Sequence, residues 1–479
     1  MKISLLLLLF VSLLLGDKAE LDNLLSQYRE AGELYRETKE EKGGHVIVFS
    51  RSDLDKMQAY TLNDVLKTVR MFTLKSTKFG MTSLVKSPYS EQSMSSIKVF
   101  INSYELTSIT AGTGLAQYGK MGLNFIDHIE IYQASDAIAT SGEPGNMVIK
   151  MYTKDPTREN ATVAQASLDS KSGSRAQLIE SGNFDKYSYL ANIDVSKNNY
   201  DLYRTKSEGE FSKDGYRGQF YVNFSKRDDF EIEVGSAREK SDLFAGFGSS
   251  ISDGEMDIKS YYAQFSKYFK NDLKLILASS YEEIKLANED KSGFLLFDNT
   301  LSKDLSIKNG SYTNGAILEK RLIISDNSLL LGAQAKLKSF FIDNFKSENI
   351  NKTEALGPKD VYFYGIYIQD DYDINENHKI TLGARADRYE NHYISASTDN
   401  VLRFAYLGKL HEDFTLKSFV QEGYIYPIFA QTTFSPIYNP NPYLKNIDTS
   451  IFKVEGEYHK EKLTVTVGGG TSKSKNGIV

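Results

Sequence analysis

No cysteine and no tryptophan occur among the 479 residues, and there are only 8 prolines and 6 histidines. Without cysteine the chain can form no disulfide framework and no thiolate metal site, and it cannot carry the lipid of a lipoprotein. The histidines, at positions 45, 128, 378, 392, 411 and 459, show no HExxH and no paired spacing. A Gly-x-Ser-x-Gly elbow, a P-loop and a dinucleotide fingerprint are also missing. Catalysis, a resident metal and a cofactor are therefore not expected. The net charge of −6 argues against a nucleic-acid partner. Long apolar runs are scarce as well: one alone is found, and mean hydropathy is −0.39. This excludes a multi-helix membrane protein. It does not exclude a membrane β-barrel, whose alternating strands average to neutral hydropathy.

What the chain does have is 31 Tyr and 27 Phe, arranged in a definite order. The apolar run, Leu5 to Leu15, follows Lys2 and precedes Gly16. It is too short to cross a bilayer and predicts a secretory signal peptide over residues 1–16. Residues 17–45 then place Leu21, Leu24, Leu25, Tyr28, Ala31, Leu34 and Tyr35 at helical spacing among charged residues, as in an amphipathic helix.

Residues 46–154 read as a small mixed α/β unit. Ser50 with Asp53, and Thr61 with Asp64, have capping-box spacing ahead of apolar residues. Short apolar runs follow at Ile97–Ile101, Ile129–Tyr132 and Met147–Tyr152, with Gly142, Pro144 and Gly145 as punctuation. The stretches Tyr60–Lys67, Ile97–Asn102, Phe125–Tyr132 and Val148–Lys154 resemble, in this order, the plug domain of TonB-dependent outer-membrane receptors. The family's Arg-Gly-Phe motif is missing, and Val85-Lys-Ser-Pro-Tyr89 lies about where it would be. The short box by which a periplasmic TonB protein captures such receptors is not evident in residues 17–45.

From residue 155 onward the sequence alternates. Tyr187, Tyr189, Ala191, Ile193 and Val195 share one face of a strand, and Tyr216, Phe220, Val222 and Phe224 share one face of another. The residues between them are mainly polar, as a lipid-facing strand around a wet lumen requires. Fifteen such strands are expected, centred near Ala166, Leu178, Ala191, Phe220, Val234, Ala263, Leu277, Ala316, Ala333, Ile366, Ala384, Phe404, Lys417, Val454 and Val465. Short connections fall at one end and long ones, such as Asn288 to Gly310, at the other, a segregation typical of outer-membrane barrels. Tyr367–Tyr372 with Lys379–Tyr389 resembles a hairpin of the same receptors. So does Tyr424–Gln431 with Asn439–Lys445. The fold implied is a transmembrane antiparallel β-barrel over residues 155–479 around the N-terminal α/β plug.

The strand count conflicts with a closed barrel. Single-chain barrels have even strand numbers, and the family's has about twenty-two strands. Strands about 4.8 Å apart and tilted about 40° give a backbone radius of roughly 15 Å for fifteen strands, too narrow for a plug with an outer radius near ~17 Å. The expectation is an incomplete barrel from a C-terminally truncated receptor or a fragmentary gene model.

By the resemblance, the chain sits in the outer membrane of a Gram-negative bacterium, in contact with its lipid. It takes up a scarce solute such as a metal chelate, energised by the TonB complex. The alternative is a TonB-independent channel or a surface-binding barrel with a residual plug. Position alone nominates Tyr89 and Tyr118 on plug loops, and Tyr424 and Tyr426 by an outer loop, as ligand-binding residues.

Overall fold

The structure, a computed structural model, describes residues 45–69, 73–76, 82–87, 90–91, 97–133, 143, 145, 147–199, 203–205, 209–211, 213–243, 254–296, 299–348, 357–394, 397–435, 439–460 and 463–476. The expected signal peptide, nearly all of the amphipathic segment, and Tyr89 lie outside the described residues.

The N-terminal unit opens with β1 (His45–Phe49), α1 (Arg51–Lys56) and α2 (Leu62–Leu66). Both capping boxes form. Asp53 accepts the Ser50 backbone N–H at 3.0 Å, and Asp64 accepts that of Thr61 at 3.0 Å. These bonds satisfy amides that a helix start leaves free. Leu62 and Leu66, spaced one turn apart, are wholly buried, each stabilising the unit by about 1.5–3 kcal/mol. Next come β2 (Thr73–Ser76), β3 (Thr82–Ser87) and β4 (Ser90–Glu91), which form a small sheet of their own. The main sheet adds β5 (Ile97–Ile101), β6 (Tyr104–Glu105), α3 (Leu115–Tyr118), β7 (Ile126–Gln133) and β8 (Met147–Thr153), in the order β1-β7-β8-β5-β6. Only β5 and β8 pair in parallel. The unit is thus the mixed α/β layer expected, and every residue of β5 is buried.

The rest is one antiparallel sheet of fifteen strands. It runs through β9 (Ala161–Leu168), β10 (Ser174–Phe184) and β11 (Tyr187–Asn198). A small hairpin, β12 (Tyr203–Thr205) with β13 (Gly209–Phe211), stands in the following connection. The sheet continues with β14 (Gly215–Lys226), β15 (Phe230–Asp242), β16 (Gly254–Phe269), β17 (Leu273–Leu295), β18 (Leu301–Ile324), β19 (Asn327–Lys346), β20 (Asp360–Asn375), β21 (His378–Asn391), β22 (Ser397–His411) and β23 (Phe414–Ile425). A single turn, α4 (Phe429–Thr432), precedes β24 (Ile447–Lys460) and β25 (Leu463–Lys475). Each predicted strand centre falls inside a strand. The short rim is closed by turns with Asp185, Asp228, Asn271, Asp272 and Ser325 at positive φ, the backbone that two-residue hairpins need and that Asp and Asn tolerate. One expectation is corrected. Residues Asn288 to Gly310 are not a long loop, because β17 and β18 continue through them as a hairpin with a bulge between Glu289 and Phe294.

The faces of this wall are inverted relative to a soluble protein. On β20 the outward residues Tyr362, Tyr364, Ile366 and Ile368 are exposed, whereas Gln369 on the inward side is buried. On β11, Ile193 and Val195 face out while Asn192 and Asp194 are buried. Apolar residues outside and polar residues inside suit lipid around a polar interior. The N-terminal unit occupies the concave side, and its apolar core is continuous with wall residues Ile179, Leu190, Tyr221 and Tyr262. Among the described residues no pairing joins β9 to β25, so the sheet wraps the unit without closing. The tight closed ring of fifteen strands, too narrow for the inner unit, therefore does not arise.

Candidate functional site

Beside that shared apolar core, the inner unit meets the wall through polar groups, and the first of these contacts begins with one lysine in the wrong place for a core. β5 reads Ile97-Lys-Val-Phe-Ile101, and Lys98 is buried in the middle of it. Its ammonium lies 3.7 Å from Glu105 on β6 and 3.8 Å from Glu143. The wall supplies two more cations from alternate positions of β19. Lys336 lies 3.2 Å from Glu105, and Lys338 contacts Glu143 directly. Burial opposes the charged forms of both carboxyls. The neighbouring ammoniums outweigh it, chiefly Lys336 on Glu105 and Lys338 on Glu143, and hold both below the usual carboxylate range. This five-residue lattice lines a cavity of about 80 Å³ whose other walls include Tyr104, Tyr389 and Tyr426.

A second contact surrounds Glu282 of β17. Ser108 donates to it at 2.7 Å and Gln117 donates to its other oxygen. Nearby, the hydroxyls of Tyr118 and Ser260 meet at 2.8 Å. Burial raises the Tyr118 phenol, so it stays a neutral hydrogen-bonding group. A third contact is a hydrogen bond from an ion cluster that lies within the wall. Asp194 of β11 takes Arg175 at 2.6 Å and Arg217 at 2.9 Å, and Arg217 also donates to the backbone carbonyl of Lys120 on the inner unit.

From the long-loop rim, the segment after β23 folds inward. The Phe429 and Ala430 amides donate to the carbonyls of Ile109 and Thr110 of the inner unit, at 3.4 and 3.3 Å. Phe429 and Phe434 pack on Phe340, with ring centroids 5.5 and 6.5 Å away. Thr433 donates to the Pro358 carbonyl at 2.8 Å. This segment roofs the cavity above the lysine lattice.

The predicted tyrosines divide accordingly. Tyr424 and Tyr426 are brought together, with ring centroids 4.7 Å apart, and Tyr426 stacks on Tyr389 at 4.3 Å. Tyr424 donates to Asp387, which also holds Arg385 at 2.6 Å. Tyr118 lies in a separate buried cluster with the inner unit's core. All three are buried, between 3 and 6 % exposed, so none presents a free face to bulk solvent. The sequence reading missed Lys98, Glu105, Glu143, Lys336 and Lys338. A usable signal was present in Lys98, a charge inside a fully apolar strand run, and in the Lys336–Lys338 pair at the inward period of β19.

Chemically, the site binds and holds; it has no nucleophile–base pair. Buried ion pairs roughly break even against their desolvation, so such a boundary gives register and specificity with little net adhesion.

Residues 298–469 match the family model described as TonB dependent receptor-like, beta-barrel. No curated protein matches the chain. Solved structures do match. The copper transporter OprC is 15% identical with a TM-score of 0.69, over 90% of this chain and 71% of that one. The siderophore receptor PirA from Acinetobacter baumannii is 14% identical with a TM-score of 0.67, over 91% and 71%. The FrpB iron transporter from Neisseria meningitidis is 13% identical with a TM-score of 0.67, over 90% and 73%. At these identities the likeness shows the fold. The inverted wall and the polar interior agree with that fold, and residues 298–469 are similar to the TonB-dependent receptor-like β-barrel.

Proposed function

We propose that the chain is an outer-membrane receptor that takes up a scarce hydrophilic solute, such as a metal chelate, with residues 46–154 as a movable plug and residues 155–479 as barrel wall. The observation that carries this reading is the plug–wall boundary. Buried ion pairs and hydrogen bonds cross it on several sides, beside the apolar contacts with Ile179, Leu190, Tyr221 and Tyr262. A passive pore has no use for such a filling. The names of the matched structures, a copper transporter, a siderophore receptor and an iron transporter, support a metal-bearing solute. Energy then comes from the TonB complex, as the family implies. Tyr426, at the roofed cavity, and its neighbour Tyr424 are the ligand-side candidates; Tyr118 serves the plug–wall contact.

The test is uptake of radioiron as ferric citrate and as ferric catecholates, and of radiocopper, by Gram-negative cells lacking their own receptors and expressing the full chain. Saturable uptake of at least one probe that disappears in a strain without TonB is expected. Uptake that persists without TonB would favour a TonB-independent channel. No uptake of any probe by a chain recovered in the outer membrane would overturn the metal-chelate reading.

A further inference from the structure

A second cavity lies on the opposite side of the inner unit. It encloses about 320 Å³ and is bordered by the short-rim residues Asp185, Lys186 and Arg227 and by Thr153–Thr157 at the end of β8. The first cavity is bordered instead by Tyr426–Phe429, the segment that roofs it on the long-loop rim. Two consecutive residues separate the cavities. Asn102 borders the lower one and Ser103 the upper one. They form the tip of the tight turn between β5 and β6, where Asn102 has a φ of +47°, a conformation that Asn adopts more readily than most residues.

Side chains tie the tip to the wall, while the Asn102 N–H donates to the Met151 carbonyl and its side-chain oxygen accepts the Thr153 N–H within the inner unit. The Asn102 amide donates to Glu233 of β15 and, at 3.0 Å, to the Tyr221 hydroxyl of β14. Gln264 of β16 donates to Ser103 at 3.2 Å and to Glu233 at 3.4 Å. Tyr221 donates to Glu233 at 2.7 Å. The pins are amides, hydroxyls and one carboxylate, which water can replace one for one. The residue after this tip, Tyr104, stacks on Tyr262 of β16, and Asp194 pairs with Arg175 and Arg217 within the wall. At this seam along β14–β16, two consecutive residues of one turn stand between the two polar spaces.

We propose that the β5–β6 turn is a gate, and that a hydrophilic solute crosses between the inner unit and strands β14–β16 when Asn102 and Ser103 swing off Glu233 and Gln264. This rests on the uptake reading for its purpose, but the passage itself is measurable with potassium and chloride ions. The full chain and the variant Asn102→Ala/Gln264→Ala are reconstituted in planar bilayers in KCl. The pruned gate should raise conductance at least tenfold. Asn124→Ala/Gln165→Ala, which removes another amide contact between inner unit and wall, should leave it near wild type. No rise in the gate variant, or an equal rise in both, overturns the assignment. A second measurement does not depend on pruning. The chain has no cysteine, so Ser103→Cys/Gln264→Cys can be bridged by a short bis-methanethiosulfonate linker. The linker should abolish any uptake found for the parent chain, and reduction should restore it. Undiminished uptake by the bridged protein overturns the gate. A parent chain that takes up no probe, with conductance rising only in the gate variant, overturns the uptake reading and leaves the gate standing.

Discussion

Tyr104 of the inner unit and Tyr262 of the wall stack face to face, with ring centroids 4.2 Å apart and planes 8° from parallel. Both are buried, and the pair closes the boundary beside the lysine lattice. Burial raises the Tyr104 phenol well above its ordinary value, so it stays neutral across the usable pH range. Truncating a buried ring removes both its transfer energy and its packing, about 3–5 kcal/mol. Tyr262→Ala should therefore lower the opening free energy of the β5 and β6 amides by about 3 kcal/mol, read by hydrogen exchange. Protection unchanged from wild type would mean that the inner unit holds its place without this stack.

Acid should loosen the inner unit. The carboxyls of Glu105 and Glu143, ordinarily near 4.5, are held lower in the folded protein. A lowered folded pKa contributes stability that is complete above about pH 4.5 and is lost as pH falls through the folded value. The melting temperature followed by circular dichroism should be level from pH 7 to pH 5 and fall below that. Glu143→Gln should melt lower at pH 6 and show a shallower acid slope. A slope identical to wild type would remove Glu143 from the account.

Ile366 on β20 is 64 % exposed on the outer face. If that face meets hydrocarbon, Ile366→Lys should destabilise the folded wall by about 2–4 kcal/mol near mid-plane. Its inward neighbour Gly365 provides no such contrast, so the comparison is Leu410→Lys near the short rim, expected to cost about 1 kcal/mol or less. Urea titration in lipid vesicles, read by heat-modifiable migration, measures both. Equal, small effects would argue for water outside.

Gly357 marks a close approach. A Cβ built there would lie 2.0 Å from the Thr432 carbonyl oxygen. Gly357→Ala should displace the segment Tyr426–Ser435 from its seat and break the Phe429 and Ala430 bonds to the inner unit. Limited proteolysis within that segment should quicken several-fold. A wild-type digestion pattern would show that the roof tolerates the methyl.

Much of the architecture was legible because its cause is local. A strand between lipid and a polar interior must alternate with period two, and Tyr187–Val195 and Tyr216–Phe224 display this without reference to any partner. The capping boxes at Ser50 and Thr61 were readable for the same reason, since donor and acceptor lie three residues apart. The extension of β17 and β18 was not legible. Asn288–Gly310 is rich in polar residues and reads as a loop; what makes it a hairpin is pairing of the two segments with each other and of β18 with β19.

By itself, then, the sequence determined the inverted wall, its strand positions, the segregation of turns by rim and the α/β character of the inner unit. Only the tertiary structure decided what the interior does. Glu105 meets Lys336 across 231 residues, and Asn102 meets Glu233 across 131. Those meetings depend on strand register, on how the sheet curls and on the depth at which the inner unit sits. None of these is encoded within a window of ten residues. A lysine inside β5 announces that a partner must exist, because a buried charge is costly without one, but the wall's register selects which carboxylates and cations answer it.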